Sequence, residues 1–367
     1  MAPPIDVCIR GAGIVGSTLA LLLARDRLRV GLVGGPQPSG GHSDVRAYAL
    51  NAASKDLLER LRAWPDEAHA TPVAAMEVHG DEGGLVSFRA ADEGVPALAW
   101  IADVPPLEAQ LAQALRFQPM VERLDAPRAA PLTVVCEGRT STTRAEFNVH
   151  FEVSAYSQQA IAARFDCELP HGQVARQWFH EGDILALLPL GGPGGNTVAL
   201  VWSVQDAQAP GLLALPPEEF QSRVAAASHH ALGKLKLASE RRAWSLQLAH
   251  AQDWCGPGWA LAGDAAHTVH PLAGQGLNLG LADAEALAKV LHEREYWRGP
   301  GDARLLRRYE RSRKAAVLAM GFATDGLQQL FARPGEPWTL LRNAGMKGFE
   351  WSGPLKHWVA RQAMGRL

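Results

Sequence analysis

Two glycine-rich segments hold the residues with the clearest chemical potential. Gly11, Gly13 and Gly16 form GxGxxG within GAGIVG, between an apolar run ending at Arg10 and a helical run from Ile14 to Arg27. In that setting the first glycine permits a tight turn and the second lets a pyrophosphate approach the backbone. The third lets helix and strand pack closely, while free N–H groups and the helix dipole bind phosphate. The same letters also fit a purely structural tight turn. The strand-helix-strand unit around them, Ile5 to Val33, favours dinucleotide binding. An acid expected roughly twenty residues further on to hold a ribose is replaced by Gly34 and Gly35.

The second segment comprises Gly263, Asp264, His267, His270, Pro271, Gly274, Gln275, Gly276, Leu277, Asn278 and Gly280. A strand ending in Gly-Asp places a carboxylate to accept hydrogen bonds from sugar-alcohol hydroxyls. The glycines then open a helix whose positive end can face a developing anion, as a reduced flavin requires. A glycine loop before a surface helix fits equally well. Two histidines three apart with no suitable third ligand make a poor metal site, so no metal is expected. No Ser-His-Asp or paired-carboxylate set stands out, and no catalytic residue is assigned.

These residues need elements to position them. The chain has 367 residues, with 36 Lys+Arg against 38 Asp+Glu. That length suggests two packed units, and the near-neutral charge argues against nucleic acid as partner. Cys8, Cys136, Cys167 and Cys255 are scattered without a CxxC pair, so a reducing, cytoplasmic setting fits best. The N-terminus lacks a basic region, and Ile14 to Ala24 is too short to span a bilayer. Helical spacing marks 51–64, 107–115, 276–293 and 303–330, while 75–88, 147–153, 158–165, 175–179, 185–189, 197–203 and 259–262 read as strands. GGPGG at 191–195 reads as a turn. The fold expected is α/β: a Rossmann-like dinucleotide-binding domain, an inserted, mainly antiparallel β-sheet domain, and C-terminal helices. Residues 1–70, 98–148 and 250–300 are assigned to the first, 71–97 and 149–249 to the second, and 301–367 to the helical region.

GAGIVG together with Gly263-Asp264-Ala-Ala-His-x-x-His-Pro-x-x-Gly-Gln-Gly-x-Asn278 resembles the class A flavoprotein aromatic hydroxylases, most closely their ubiquinone-biosynthesis branch. Supporting pieces run along most of the chain: Asp44 to Leu50, Tyr156 to Gln158, Glu168 to His171, Gln177 to Phe179, Val201 to Ser203, and Tyr309, Glu310 and Arg313 in the tail. The family's DGxxSxxR motif stands here as Glu137-Gly138-Arg139-Thr140-Ser141-Thr142-Thr143-Arg144, with glutamate for aspartate.

The resemblance implies that the Rossmann-like domain is an FAD-binding domain of the GR2 type and the inserted β-sheet domain a substrate domain. It places FAD with Gly11, Gly13 and Gly16 at the pyrophosphate and Arg46 near the adenosine. It further places Gly263 and Asp264 at the ribityl chain, and Gly274, Gly276, Leu277 and Asn278 at the isoalloxazine. NAD(P)H would dock transiently, and O₂ would react through a C4a-hydroperoxyflavin with an electron-rich ring. The implied substrate is a prenylated phenol of ubiquinone biosynthesis, with Phe179, Leu188, Trp202 and Pro271 as pocket candidates, the first three read preferably as plain core. Peripheral inner-membrane contact and a biosynthetic complex also belong to this reading. The basic stretch 347–366 could rest on a bilayer or, preferably, pack on the FAD domain with a solvated face. Two alternatives stay open: a hydroxylase of a soluble small molecule, and a non-catalytic scaffold within a hydroxylase complex.

Overall fold

The computed structural model describes residues 4–34, 44–80, 84–180, 182–269 and 275–332, with a few isolated positions beyond and side chains of the last helix to residue 318. Its first half runs β1 (Val7–Arg10), α1 (Ile14–Arg25), β2 (Val30–Val33), β3 (Ala47–Leu50), α2 (Ala52–Arg60), β4 (Ala70–Val73), β5 (Ala75–His79), β6 (Leu85–Arg89), β7 (Ala99–Asp103), α3 (Val104–Arg116), β8 (Val121–Leu124), β9 (Leu132–Val135) and α4 (Thr143–Glu146). Then follow β10 (Phe151–Cys167), β11 (Val174–His180), β12 (Asp183–Leu190), β13 (Thr197–Gln205), α5 (Ala209–Ala214), α6 (Pro217–Ala227), β14 (Leu235–Leu237) and β15 (Arg242–Ala251). The chain continues through β16 (Cys255–Gly256), β17 (Trp259–Leu261), a short 3₁₀ turn (Gly263–Ala265), β18 (His267–Thr268), α7 (Gln275–His292) and α8 (Ala303–Ala332).

Six strands form one sheet in the order β16-β17-β9-β1-β2-β8, parallel except at β16. Its central strands β1 and β2 are almost wholly buried, as the runs VCIR and VGLV require when helices cover both faces, while the edge strand β8 exposes Glu122 and Arg123. The strand order reverses beside β1, and in open α/β sheets that reversal opens a crevice at the carboxyl ends of the strands. GAGIVG leaves β1 at that point. The expected α/β class is therefore the one observed.

The second sheet has nine strands, ordered β18-β15-β10-β13-β12-β11-β5-β6 with β14 on β10, and is antiparallel except where β5 meets β11. One face packs on α6, with Phe165, Trp178, Leu185, Leu200, Trp202 and Phe220 in a common core. The other faces a small sheet, β3-β7-β4, through Val73, Ile101, Leu190 and Ala199. That alanine-rich small sheet had no clear strand signal. The two strands expected at 147–153 and 158–165 are a single strand, β10, whose register with β15 shifts between Ala155 and Gln159 around Ser157 at φ 54°. Residues 147–150 instead turn after α4, with Asn148 at φ 52°. GGPGG is the turn between β12 and β13, with Gly191 and Gly192 at φ 80° and 82°.

Candidate active site

The site is built outward from the N-terminus of α1. Gly11 has φ +111°, and a Cβ there would lie 2.4 Å from the Cys136 carbonyl oxygen. A Cβ on Gly16 would lie 1.9 Å from the Gly11 carbonyl oxygen. Both glycines are therefore demanded by close packing of β1, β9 and α1. Gly13 differs: nothing stands within 4 Å of its Cβ position, and it caps α1 without a side-chain hydrogen bond. The first-turn amides of α1 thus border open space, the arrangement that a helix N-terminus offers to a phosphate. Gly34, at the end of β2 where the ribose acid was expected, is exposed, with no described residue within 4 Å of its Cβ position.

The 3₁₀ turn carrying Gly263 and Asp264 lies against this helix. Gly263 has φ +63°, and Val15 of α1 packs 3.3 Å from its Cβ position and 2.8 Å from that of Gly280. Asp264 is half-buried, and burial pushes its carboxyl above the usual aspartate range despite the positive charges of Arg139 and Arg46 and the nearby His267. Among the described residues nothing donates a hydrogen bond to it. A half-desolvated carboxylate without donors is an acceptor waiting for hydroxyls.

Asp283, which sequence reading missed, fixes that turn. Fully buried, it accepts from Gly263 N–H at 3.0 Å and Arg313 Nε at 2.7 Å, and shares a 2.6 Å hydrogen bond with His267 Nε2. Burial alone would raise its pKa, yet His267 and Arg313 bring it below the ordinary value. Arg313 also donates to the Leu279 carbonyl, and His267 stacks on Trp254 at 4.9 Å. His267 is thereby committed to Asp283. His270, Pro271 and Gly274 lie outside the described residues. The signal available was an acid on the apolar face of the run Leu279 to Ala288, four residues from both Leu279 and Leu287 and sixteen after a histidine, whereas Glu285 lies off that face.

At the start of α7, Gly276 has no described residue within 4 Å of its Cβ position. The Asn278 side chain is fully engaged: its amide donates to Ala49 O at 2.9 Å and Gln275 Oε1 at 3.2 Å, and its oxygen accepts from Asn51 N–H at 3.0 Å and Ser54 Oγ at 2.7 Å. That leaves its backbone, not its amide, to meet a ring. Leu277 is partly buried against the sheet core. Arg46 is held by Asp44, with Nε 2.9 Å from Oδ1, and that pairing raises its pKa. Burial raises the Glu108 carboxyl, and Asp44 adds to the effect.

The altered acid motif closes on itself. Glu137 accepts from Ser141 Oγ at 2.7 Å and Thr143 Oγ1 at 2.8 Å, with Arg10 Nε at 3.3 Å. Arg144 reaches across to the Ala265 carbonyl at 3.2 Å, tying the motif to the Asp264 turn.

Register separates the pocket candidates. Phe179 pairs with Ile184, and Leu188 with Ala199, on the sheet face toward β3-β7-β4. Trp202 pairs with Leu185 on the opposite face, 6.3 Å from Phe220 of α6, so it is core rather than pocket wall. Adjacent residues on a strand face opposite sides, and that parity decides the matter.

An open helix N-terminus on α1 and, packed against that helix, a turn whose Asp264 carboxylate has no donor among the described residues fit the binding of a dinucleotide. Residues 122–321 match the family described as FAD binding domain. The ubiquinone hydroxylase UbiL of Rhodospirillum rubrum is 32% identical, covering 99% of this chain and 90% of its own length. The 3-demethoxyubiquinol 3-hydroxylase of Escherichia coli is 30% identical over 99% of both. Among solved structures, PqsL of Pseudomonas aeruginosa in complex with 2-aminobenzoylacetate superposes with a TM-score of 0.78, at 22% identity over 94% of this chain and 99% of that one. The chain belongs to the FAD-binding monooxygenase family that contains the ubiquinone hydroxylases. It is a flavin-dependent monooxygenase, with FAD as cofactor and NAD(P)H as the co-substrate typical of the class.

Proposed function

We propose that this enzyme hydroxylates the aromatic ring of a prenylated phenol intermediate of ubiquinone biosynthesis. What supports the substrate class is near-complete alignment, at 32% and 30% identity, with two hydroxylases named for ubiquinone chemistry. Bound FAD would supply the oxygen-activating redox chemistry. Gly11, Gly13 and Gly16 would shape the phosphate cradle, and Gly263 would aim the Asp264 carboxylate at the ribityl hydroxyls. The backbone of Gly276 to Asn278 would face the ring, with Arg46 toward the nucleotide. Phe179 and Leu188, on the apolar sheet face, would orient the substrate ring and keep water out of the site.

The test of this reading is turnover by the purified holoenzyme. A polyprenyl phenol should give hydroxylated product coupled to NAD(P)H consumption, with a higher kcat/KM than the same ring without its tail. Equal or reversed preference would favour a soluble substrate, and no turnover of either would favour the scaffold reading.

Asp264→Asn tests the cofactor assignment. Losing a charged acceptor for sugar hydroxyls costs about 1.5–3 kcal/mol, so FAD affinity should fall roughly 10- to 150-fold. The apoprotein should move the other way. A carboxyl whose folded pKa is raised opposes folding once pH exceeds the unfolded value. The apo variant should therefore melt higher at neutral pH, a gain that disappears below the ordinary carboxylate range. Flavin titration and thermal melts read both effects, and unchanged FAD affinity would remove Asp264 from the site.

A further inference from the structure

Tyr48 stands on β3, the strand gripped by the start of α7, where Asn278 donates to the Ala49 carbonyl at 2.9 Å and accepts from Asn51 N–H at 3.0 Å. Side chains alternate along a strand, so Tyr48 points away from Ala47 and Ala49, which pack toward the larger sheet. Its ring rests, partly buried, on the core that surrounds the parallel sheet.

The hydroxyl end is only half used. Asp44 holds Arg46 through Nε and Nη2, which leaves Nη1 turned to Tyr48, 3.5 Å from the phenol oxygen. The phenol therefore accepts from an arginine, while its own hydrogen meets no acceptor among the described residues. Buried tyrosine hydroxyls ordinarily find one. Tyr309, fully buried, spends its O–H on the Leu261 carbonyl at 2.8 Å. Asp264 is close enough for its charge to act on the Tyr48 phenol, yet no hydrogen bond joins the two. Burial raises the phenol above its usual range, and Asp264 and Asp44 add to this against the pull of Arg46, so the hydroxyl stays a donor at working pH. An unspent donor and a carboxylate without donors suit a ligand that carries accepting and donating oxygens side by side. A ribityl chain ending in phosphate is such a ligand.

We infer that Tyr48 is a further cofactor-binding residue, whose hydroxyl donates a hydrogen bond to an oxygen in the ribityl-phosphate stretch of FAD beside Asp264. The inference rests on the cofactor role given to Asp264 and adds a residue that neither glycine motif contains. FAD is then held from β3 as well as from α1 and the Asp264 turn. Such a hold on the flavin half matters more in a chain where Gly34, exposed at the end of β2, offers no acid to the adenosine ribose.

Flavin titration of the full-length apoprotein tests this without any turnover. Tyr48→Phe keeps the ring and its packing, so the apo variant should melt with the parent. Its FAD affinity should fall roughly tenfold, the loss of one hydrogen bond to a strongly polar oxygen. Titration with riboflavin and FMN locates that oxygen. An equal fall for all three flavins marks a ribityl hydroxyl, and a fall for FMN and FAD but not riboflavin marks the phosphate; either supports the assignment. In an Arg46→Ala background the same exchange should still weaken FAD several-fold, since the hydroxyl meets the cofactor directly. Parent-level affinity of Tyr48→Phe for all three flavins, or a loss that vanishes in the Arg46→Ala background, overturns the assignment and leaves the role of Asp264 standing. A parent protein that binds none of the three overturns both.

Discussion

Asp283→Ala is expected to destabilise the enzyme by about 3–5 kcal/mol, the usual cost of removing one partner from a buried ion pair. The Arg313 guanidinium, itself largely buried, would lose the acid it meets at 2.7 Å, and His267 and the Gly263 N–H would lose their shared acceptor. Flavin should suffer as well, because Gly263 is the residue that sets where Asp264 points. Asp283→Asn should cost less stability, since an amide oxygen can still accept from Gly263, while leaving the arginine uncompensated. The pH dependence has a definite sign. A carboxyl held below its unfolded value stabilises the fold above the ordinary carboxylate range and loses that contribution as pH falls through its folded pKa. Chemical denaturation of parent and variants across pH 3–7 reads this directly. A difference near zero at neutral pH would show that the network is ornamental.

The second large effect separates two glycines of one motif. Gly16→Ala should compromise folding, since its Cβ would sit 1.9 Å from the Gly11 carbonyl oxygen and backbone cannot give way cheaply. Gly13→Val should behave differently. Gly13 has φ −71° and ψ −173°, extended backbone that any residue adopts, and open space in front of it. The variant should fold with an ordinary melting temperature and purify colourless. FAD affinity should drop roughly a hundredfold or more, because the added methyls occupy the place where phosphate meets the helix amides. Absorbance spectra and thermal melts on both variants decide the matter. A yellow Gly13→Val protein would show that the open space beside α1 is not where the pyrophosphate lies.

Much of this site could be read from letters because its demands are local. A glycine that must pass beside a carbonyl is forced by its immediate neighbours, and Gly11 and Gly16 each answer to such a demand. What escaped reading is what folding brings together over distance. Asp283 meets His267 across a turn and Arg313 across thirty residues, and Asn278 reaches back to Asn51 and Ser54. Trp202 shows the same limit within a sheet. Its letters left pocket wall and plain core both open, and strand parity places it on the sheet face that packs on α6. The alanines of β3 and β7 carry little strand propensity and became a sheet only through packing on the larger one.

The central claim is that this chain places one atom of dioxygen on the ring of a prenylated phenol. Mass analysis of the product formed by the purified holoenzyme with NADPH, a polyprenyl phenol and ¹⁸O₂ tests it most directly. The account predicts a product carrying a single ¹⁸O in a new ring hydroxyl, formed in proportion to NADPH consumed. An unlabelled hydroxyl, or NADPH oxidation that yields only hydrogen peroxide with this substrate bound, would contradict it.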